Sequence, residues 1–193
     1  MKKRIQWIGI CWLGLTLTAL GAGFNNTFDE EAPDAGAPDG FGVYGDETSD
    51  RGVTENVSTS GKQAASITAD FGMDKWGVIL LHEKGNWDLA NKTLSAQISS
   101  TVDFTGKKGV AAFKLIDADG SEYRTRDGDL FTPSGDWKEF RQSVSSVSQV
   151  EEPGKKPGLD LGHIVQYGII FFDHGEYDQV VTFFVDDFQT ISQ

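Results

Sequence analysis

Short runs of β-type residues recur from Phe41 to Ile191, each bounded by residues that interrupt regular structure. The runs are Phe41 to Tyr44, Val53 to Ser58, Ala64 to Phe71, Trp76 to His82 and Leu94 to Val102. They continue with Val110 to Ile116, Glu122 to Arg126, Trp137 to Val144, Ile164 to Phe172 and Val180 to Ile191. Between them stand Gly45-Asp46, Ser60-Gly61, Gly85-Asn86, Gly106, Asp119-Gly120, Ser134-Gly135-Asp136 and Pro157-Gly158. Many short strands with regular turn chemistry bury their apolar faces in a sandwich or a barrel. The residue period agrees. Leu94, Ala96 and Ile98 alternate with Ser95, Gln97 and Ser99, as in a half-buried strand. Val110-Ala111-Ala112-Phe113 and Ile169-Ile170-Phe171-Phe172 are apolar on both sides, which predicts central strands covered on both faces. No window carries an amphipathic helical period, and Gln142 to Val150 reads as a loop or a strand.

The beginning of the chain reads as an export signal. A basic Met1-Lys2-Lys3-Arg4 patch precedes an apolar run from Ile5 to Leu20, closed by the small residues Gly21, Ala22 and Gly23. This is the three-part layout of a secretory signal peptide, spanning residues 1–23 and cleaved after Gly21, Ala22 or Gly23. The expected destination is the periplasm or the extracellular space. The run is too short and Gly-interrupted for a comfortable membrane span; an uncleaved N-terminal anchor is the alternative. Cys11 is preceded by Ile10 and lies inside the apolar run, which argues against a lipoprotein. It is also the only cysteine, so the mature chain has no disulfide and no thiol chemistry.

About 170 residues remain, enough for one domain with a real core, residues 24–193. Glu31 to Gly40 is rich in Pro, Gly, Ala and acids, and reads as a flexible loop or linker within that domain. Just before it, Thr27-Phe28-Asp29-Glu30 reads as a short first strand. Loss of Lys2, Lys3 and Arg4 from the 17 basic residues leaves 14 against 29 acidic ones, a net charge of −15. That balance argues against nucleic acid and anionic membrane surfaces as partners. It is compatible with neutral sugars and with cations.

Catalytic motifs are scarce. His82, His163 and His174 show no two-histidine metal spacing, no serine sits in a GxSxG elbow, and no phosphate-cradling glycine loop follows a strand. One acidic pattern is more specific. Asp186 and Asp187 interrupt the strongly apolar strand Val181-Thr182-Phe183-Phe184-Val185 … Phe188. One of the two must point toward the buried face, and a buried carboxylate is costly unless it is paired or holds a metal. Calcium takes such hard oxygen ligands. The complement is the Asp29-Glu30 pair, if first and last strands are neighbours. A solvated edge pair or a cross-strand hydrogen bond is the competing reading. Asp117-Ala118-Asp119-Gly120 lacks the remaining spacing of a calcium loop and reads as a hairpin turn.

The ordered set of features resembles the jelly-roll carbohydrate-binding modules of the galactose-binding-like superfamily, with family 11 and families 4, 9 and 22 the nearest in flavour. The resemblance rests on Phe28-Asp29, Trp76-Gly77-Val78-Ile79-Leu80, Trp87-Asp88-Leu89 before Leu94-Ser95-Ala96-Gln97-Ile98, and Asp117-Ala118-Asp119-Gly120-Ser121-Glu122-Tyr123. It continues through Asp136-Trp137-Lys138-Glu139-Phe140, Leu159-Asp160-Leu161-Gly162-His163-Ile164 and Phe184-Val185-Asp186-Asp187-Phe188. It implies an all-β, two-sheet antiparallel jelly-roll β-sandwich. It also implies a secreted, non-catalytic module that binds a polysaccharide or oligosaccharide in the concave groove of one sheet, beside polysaccharide-degrading enzymes. A structural calcium is implied at Asp29 or Glu30 with Asp186 ahead of Asp187, joined by backbone carbonyls near Lys62.

Sugars present apolar C–H faces to aromatic rings and hydroxyls to polar side chains. Trp87, in a Gly-Asn-Trp-Asp turn with no evident core to fill, is the first candidate platform; Trp76 and Trp137, on apolar strands where a core role is the competing reading, stand behind it. Tyr123 and Arg126 are further ligand candidates beside the hairpin, although on a straight strand Tyr123 faces away from Arg124 and Arg126. A jelly-roll lyase or glycanase, and a cell-surface interaction domain with an empty groove, are the alternatives.

Overall fold

The computed structural model describes residues 23–29, 40–45, 50–55, 58–59, 61, 63–71, 77–83, 85–150, 158–172 and 177–193. The signal-peptide run, most of the Glu31–Gly40 segment, Glu30, Lys62, Trp76 and His174 lie outside them.

The alternating runs form β1 (Asn25–Asn26), β2 (Phe41–Tyr44), β3 (Asp50–Glu55), β4 (Gln63–Asp70), β5 (Val78–His82) and β6 (Lys92–Ser100). They continue as β7 (Ala111–Asp117), β8 (Glu122–Arg124), β9 (Lys138–Ser143), β10 (Ser148–Gln149), β11 (Ile164–Phe171) and β12 (Val180–Ser192). Two 3₁₀ turns, Asp127–Asp129 and Val144–Ser146, are the only helical pieces among the described residues. The stretch from Gln142 to Val150 is thus the end of β9, a turn and the short β10.

The strands make two six-stranded antiparallel sheets, which bears out the sandwich reading. The first runs β3-β4-β12-β6-β9, with β1 also on β12; the second runs β10-β8-β7-β11-β5-β2. Their facing sides share one core. Ile67, Leu94, Ile98, Val181, Phe183 and Val185 come from the first sheet, and Leu80, Phe113, Leu115, Ile169 and Phe171 from the second. Inter-sheet rings meet closely: Phe171 stacks on Phe183 at 4.1 Å and Phe113 on Phe140 at 4.1 Å.

Two expectations need correction. The first strand is Asn25–Asn26, ahead of Thr27 to Glu30. Phe28 sits at φ 59°, and Asp29 is in a turn, so the chain has already left the sheet there. The apolar runs of β7 and β11 are central strands, but only one face of each packs against the opposite sheet. On the other face Ala112 is small enough to be buried among its neighbours and Ile170 is half-buried.

Gly168 is needed where β11 runs beside β5. A Cβ there would lie 2.2 Å from the Leu80 carbonyl oxygen and 2.9 Å from the Leu81 Cα. These are backbone atoms of a central strand and cannot swing aside. Gly168→Ala is expected to cost about 3 kcal/mol of stability in a denaturant melt. Gly135→Ala, where nothing lies within 4 Å, is the neutral control.

Candidate functional site

The last strand positions the acidic pair. β12 pairs with β4 from Val180 to Val185, and with β1 at Phe188 and Gln189. Asp186 and Asp187 fall between these two partners. On the opposite side, the pairing with β6 slips between Asp186 and Gln189. Asp187 takes φ 47°, so the strand bulges at the pair. Asp186 still pairs with Gln97 on the outer face of the first sheet, where it is fully buried against Thr59, and the bulge at Asp187 returns Phe188 to the core, so the expected inward-pointing aspartate is not found.

The carboxylates converge on one connecting loop. The Thr59 backbone amide donates to Asp186 Oδ2 at 2.8 Å. The Thr59 hydroxyl lies 2.9 Å from Asp186 Oδ2 and 3.1 Å from Asp187 Oδ2, so one proton faces two carboxylates. The Asp187 amide donates to Asp186 Oδ1 at 2.8 Å. Asp29 reaches the same loop from the other end of the chain. Its Oδ1 accepts from the Gln63 amide at 3.2 Å. A Cβ on Gly61 would lie 1.8 Å from its Oδ2, so only glycine admits the carboxylate there. Thus Asp29 and the Asp186-Asp187 pair, far apart in the sequence, meet on the same loop. Among the described residues no group of three His, Cys, Asp or Glu forms a ready metal cage.

The sugar candidates are placed differently from expectation. Trp87 is not an exposed platform. It is half-buried, bridges to Ile164, and packs edge-on against Tyr167 at 4.6 Å, His82 at 5.0 Å and Phe24 at 6.3 Å. The turn does have a core to fill, because Phe24 comes from the far end of the chain to meet it. Tyr123 points inward and is 3% exposed. Burial, reinforced by the Asp117 carboxylate, pushes its phenol above the ordinary tyrosine range. Arg126 is exposed and precedes the Asp127–Asp129 turn, its carbonyl accepting from the Asp129 amide at 2.8 Å. These candidates do not share one surface. The Asp117–Gly120 segment is a hairpin turn, as its residues predict, with Asp117 Oδ1 accepting from the Asp119 and Ser121 amides at 3.1 and 3.0 Å.

The outer face of the second sheet holds a set that the sequence reading passed over. Register aligns Gly42, Leu81, Gly168, Lys114, Arg124 and Ser148 in one row across β2, β5, β11, β7, β8 and β10. Tyr44 stands in the next row, opposite Ile79. Its ring folds back over Gly42, where a Cβ would lie 2.7 Å from the Tyr44 Cε2 and Oη. Tyr44 is 44% exposed and, with Val180, is one of two large apolar side chains that the described residues leave open. Further along, Lys114 is ion-paired with Glu122, and Arg124 approaches Asp127 at 3.9 Å. The signal was alternation. Phe41 and Val43 face in, which sends Gly42 and Tyr44 out; Tyr123 faces in, which sends Glu122 and Arg124 out.

No family model and no curated protein matches the sequence. Solved structures do match the fold. The family 11 carbohydrate-binding module of a cellulosomal cellulase of Clostridium thermocellum aligns with a TM-score of 0.58 at 17% identity, over 89% of this chain and 96% of that one. The family 11 module from the same organism, in complex with a β-1,3-1,4-mixed-linked tetrasaccharide, gives 0.57 at 19% identity, over 91% and 98%. An exo-β-agarase gives 0.59 at 11% identity, over 88% of this chain and 25% of the enzyme. With the sheet order above, these likenesses establish that the chain has the jelly-roll β-sandwich fold of the family 11 modules.

Proposed function

We propose that this protein is a secreted, non-catalytic carbohydrate-binding module whose sugar chain lies across the outer face of the second sheet. The observation that carries the reading is the exposed Tyr44 ring laid over Gly42, in line with Leu81, Gly168, Lys114 and Arg124. From β2 to β8 this strip crosses four inter-strand gaps, about 19 Å, room for several sugar units. The ring offers an apolar platform, the two glycines keep the floor low, and the Lys114–Glu122 pair and Arg124 supply donors and acceptors for hydroxyls. The mixed-linked tetrasaccharide held by the similar module supports a β-glucan as the first ligand to try. The likeness to part of an agarase supports a place beside polysaccharide-degrading enzymes.

Affinity electrophoresis in gels containing mixed-linked β-glucan, xylan or agarose tests this. The protein is expected to be retarded by at least one polymer. Tyr44→Ala is expected to weaken that binding at least about tenfold without changing the melting temperature. Equal retardation of the two proteins would remove the outer face from consideration, and no retardation on any polymer would remove the function.

The acidic loop fits a structural calcium ion held by Asp29 and Asp186, with Asp187 beside them. The donors are of the right kind: the Asp186 and Asp187 carboxylates and the Thr59 hydroxyl meet on one loop that Asp29 also reaches, and Asp186 is fully buried. Bound there, the ion supplies charge balance, and these residues tie the first and last strands to the β3–β4 connection. Export rests on the signal-peptide pattern of residues 1–23, and Phe24 is compatible with it. Its ring lies in the core, its amide donates to Thr190 Oγ1 at 3.0 Å, and its carbonyl accepts from the Thr190 amide at 2.9 Å. Each of the three cleavage positions leaves this residue on the mature chain.

A further inference from the structure

A second cleft opens at the free edge of the first sheet, away from the Tyr44 face. Asp129, Phe140, Arg141, Gln142, Ser143 and Ser146 line a cavity of about 380 Å³. These residues come from the edge strand β9 and from both 3₁₀ turns. The volume lies at the small end of the range for ligand pockets, about 300–1,000 Å³.

Gln142 is 8% exposed, and its buried Nε2 finds no acceptor among the described residues. Its orientation follows from a chain of donors. The Phe113 amide donates to Thr125 Oγ1 at 2.9 Å. The Thr125 hydroxyl in turn donates to Gln142 Oε1 at 2.6 Å. The carbonyl end is therefore committed, and the NH₂ end is left with two protons to donate. An unmet buried donor costs about 1–3 kcal/mol, so an acceptor arriving there is rewarded.

The other groups narrow the ligand. Asp129 brings a carboxylate from a separate element, so the ligand must also donate. The Arg141 guanidinium, which also lines the cleft, is already paired with Glu139 at 2.7 Å, so an anion meets the Asp129 carboxylate without a free cation to offset it. A metal ion is refused by the NH₂ group. An apolar molecule leaves both groups unmet. Phe140 is stacked on Phe113 at 4.1 Å and on Phe131 at 5.0 Å. With both faces covered it offers only its edge, so the cleft has no stacking platform. A small neutral molecule bearing several hydroxyls meets these conditions. We infer that this edge cleft is a second carbohydrate site, distinct from the sheet face, which takes a single sugar unit through Gln142 and Asp129.

Such a site, polar and without a platform, binds in the range of about a millimolar. The test is a titration of ¹⁵N-labelled protein with methyl glucoside, methyl galactoside and methyl xyloside. The expected result is saturable movement of the Gln142 side-chain NH₂ signals, together with the Asp129, Ser143 and Ser146 amides, for at least one probe. Asp129 is exposed, so Asp129→Ala tests the site without threatening the fold; it is expected to weaken binding about tenfold. Tyr44→Ala is expected to leave these shifts unchanged, so failure of the sheet-face reading and failure of this one are separable. No movement with any probe, or movement undiminished in Asp129→Ala, overturns the inference.

Discussion

Replacing Tyr167 by alanine is expected to lower the unfolding free energy by about 4 kcal/mol, read as a reduced denaturant midpoint at unchanged slope. The side chain is 1% exposed in the middle of β11. Its ring stacks on Phe24 at 3.5 Å and on His82 at 5.1 Å, and meets the edges of Trp87 and Phe188 at 4.6 and 5.3 Å. Truncation leaves a cavity beneath the Phe24–Asp29 segment, whose strand pairing is limited to the two-residue β1. Tyr167→Phe separates packing from hydrogen bonding. It loses only the bond from Asn26 Nδ2 to the phenol oxygen at 2.9 Å, worth about 1 kcal/mol. It also predicts a pH effect. Burial pushes the Tyr167 phenol up from 10.0 to about 12, opposed by the Asn26 bond. A raised folded-state value favours folding below the unfolded one. This contribution is therefore intact below pH 10.0 and is lost as pH rises through about 12. Tyr167→Phe is expected to flatten the alkaline limb of the stability curve. If Tyr167→Ala melts within about 1 kcal/mol of the parent, the aromatic cluster does not hold the N-terminal segment.

Asp186→Ala is expected to cost about 3 kcal/mol, and to abolish stabilisation by calcium. The carboxylate is fully buried and takes the Thr59 and Asp187 amides and the Thr59 hydroxyl. Its removal strands those donors whether or not an ion is present. The metal proposal makes the second, separate claim. At free calcium about 100 times the dissociation constant, the parent gains about 2.7 kcal/mol, or roughly 8 °C of melting temperature. Asp186→Ala and Asp29→Ala should show no such gain, and excess EGTA should return the parent to its calcium-free melting temperature. A parent whose melting curve is the same in calcium and in EGTA would leave the acidic loop as a hydrogen-bonded lock without a cation.

Local pattern determined much of this protein. Alternation within Leu94 to Ser99 and turn residues such as Asp119-Gly120 were enough for strands, turns and the sandwich class. Each depends on neighbours within a few residues, and a side chain's face follows from the period of two. The interrupted apolar run around Asp186 likewise showed that a charge had to be buried and met there. Only the tertiary structure decided what meets it. Thr59 is 127 positions away in the sequence, and its arrival depends on β4 giving way to β1 along β12. The same distance explains Trp87, which looked exposed because Phe24 and Tyr167, its partners, lie far along the chain in either direction. The role of an aromatic residue rests on which surface its strand presents once two sheets have closed. That is why Tyr44, unremarkable in the sequence, stands open while the tryptophan is half-buried against the core.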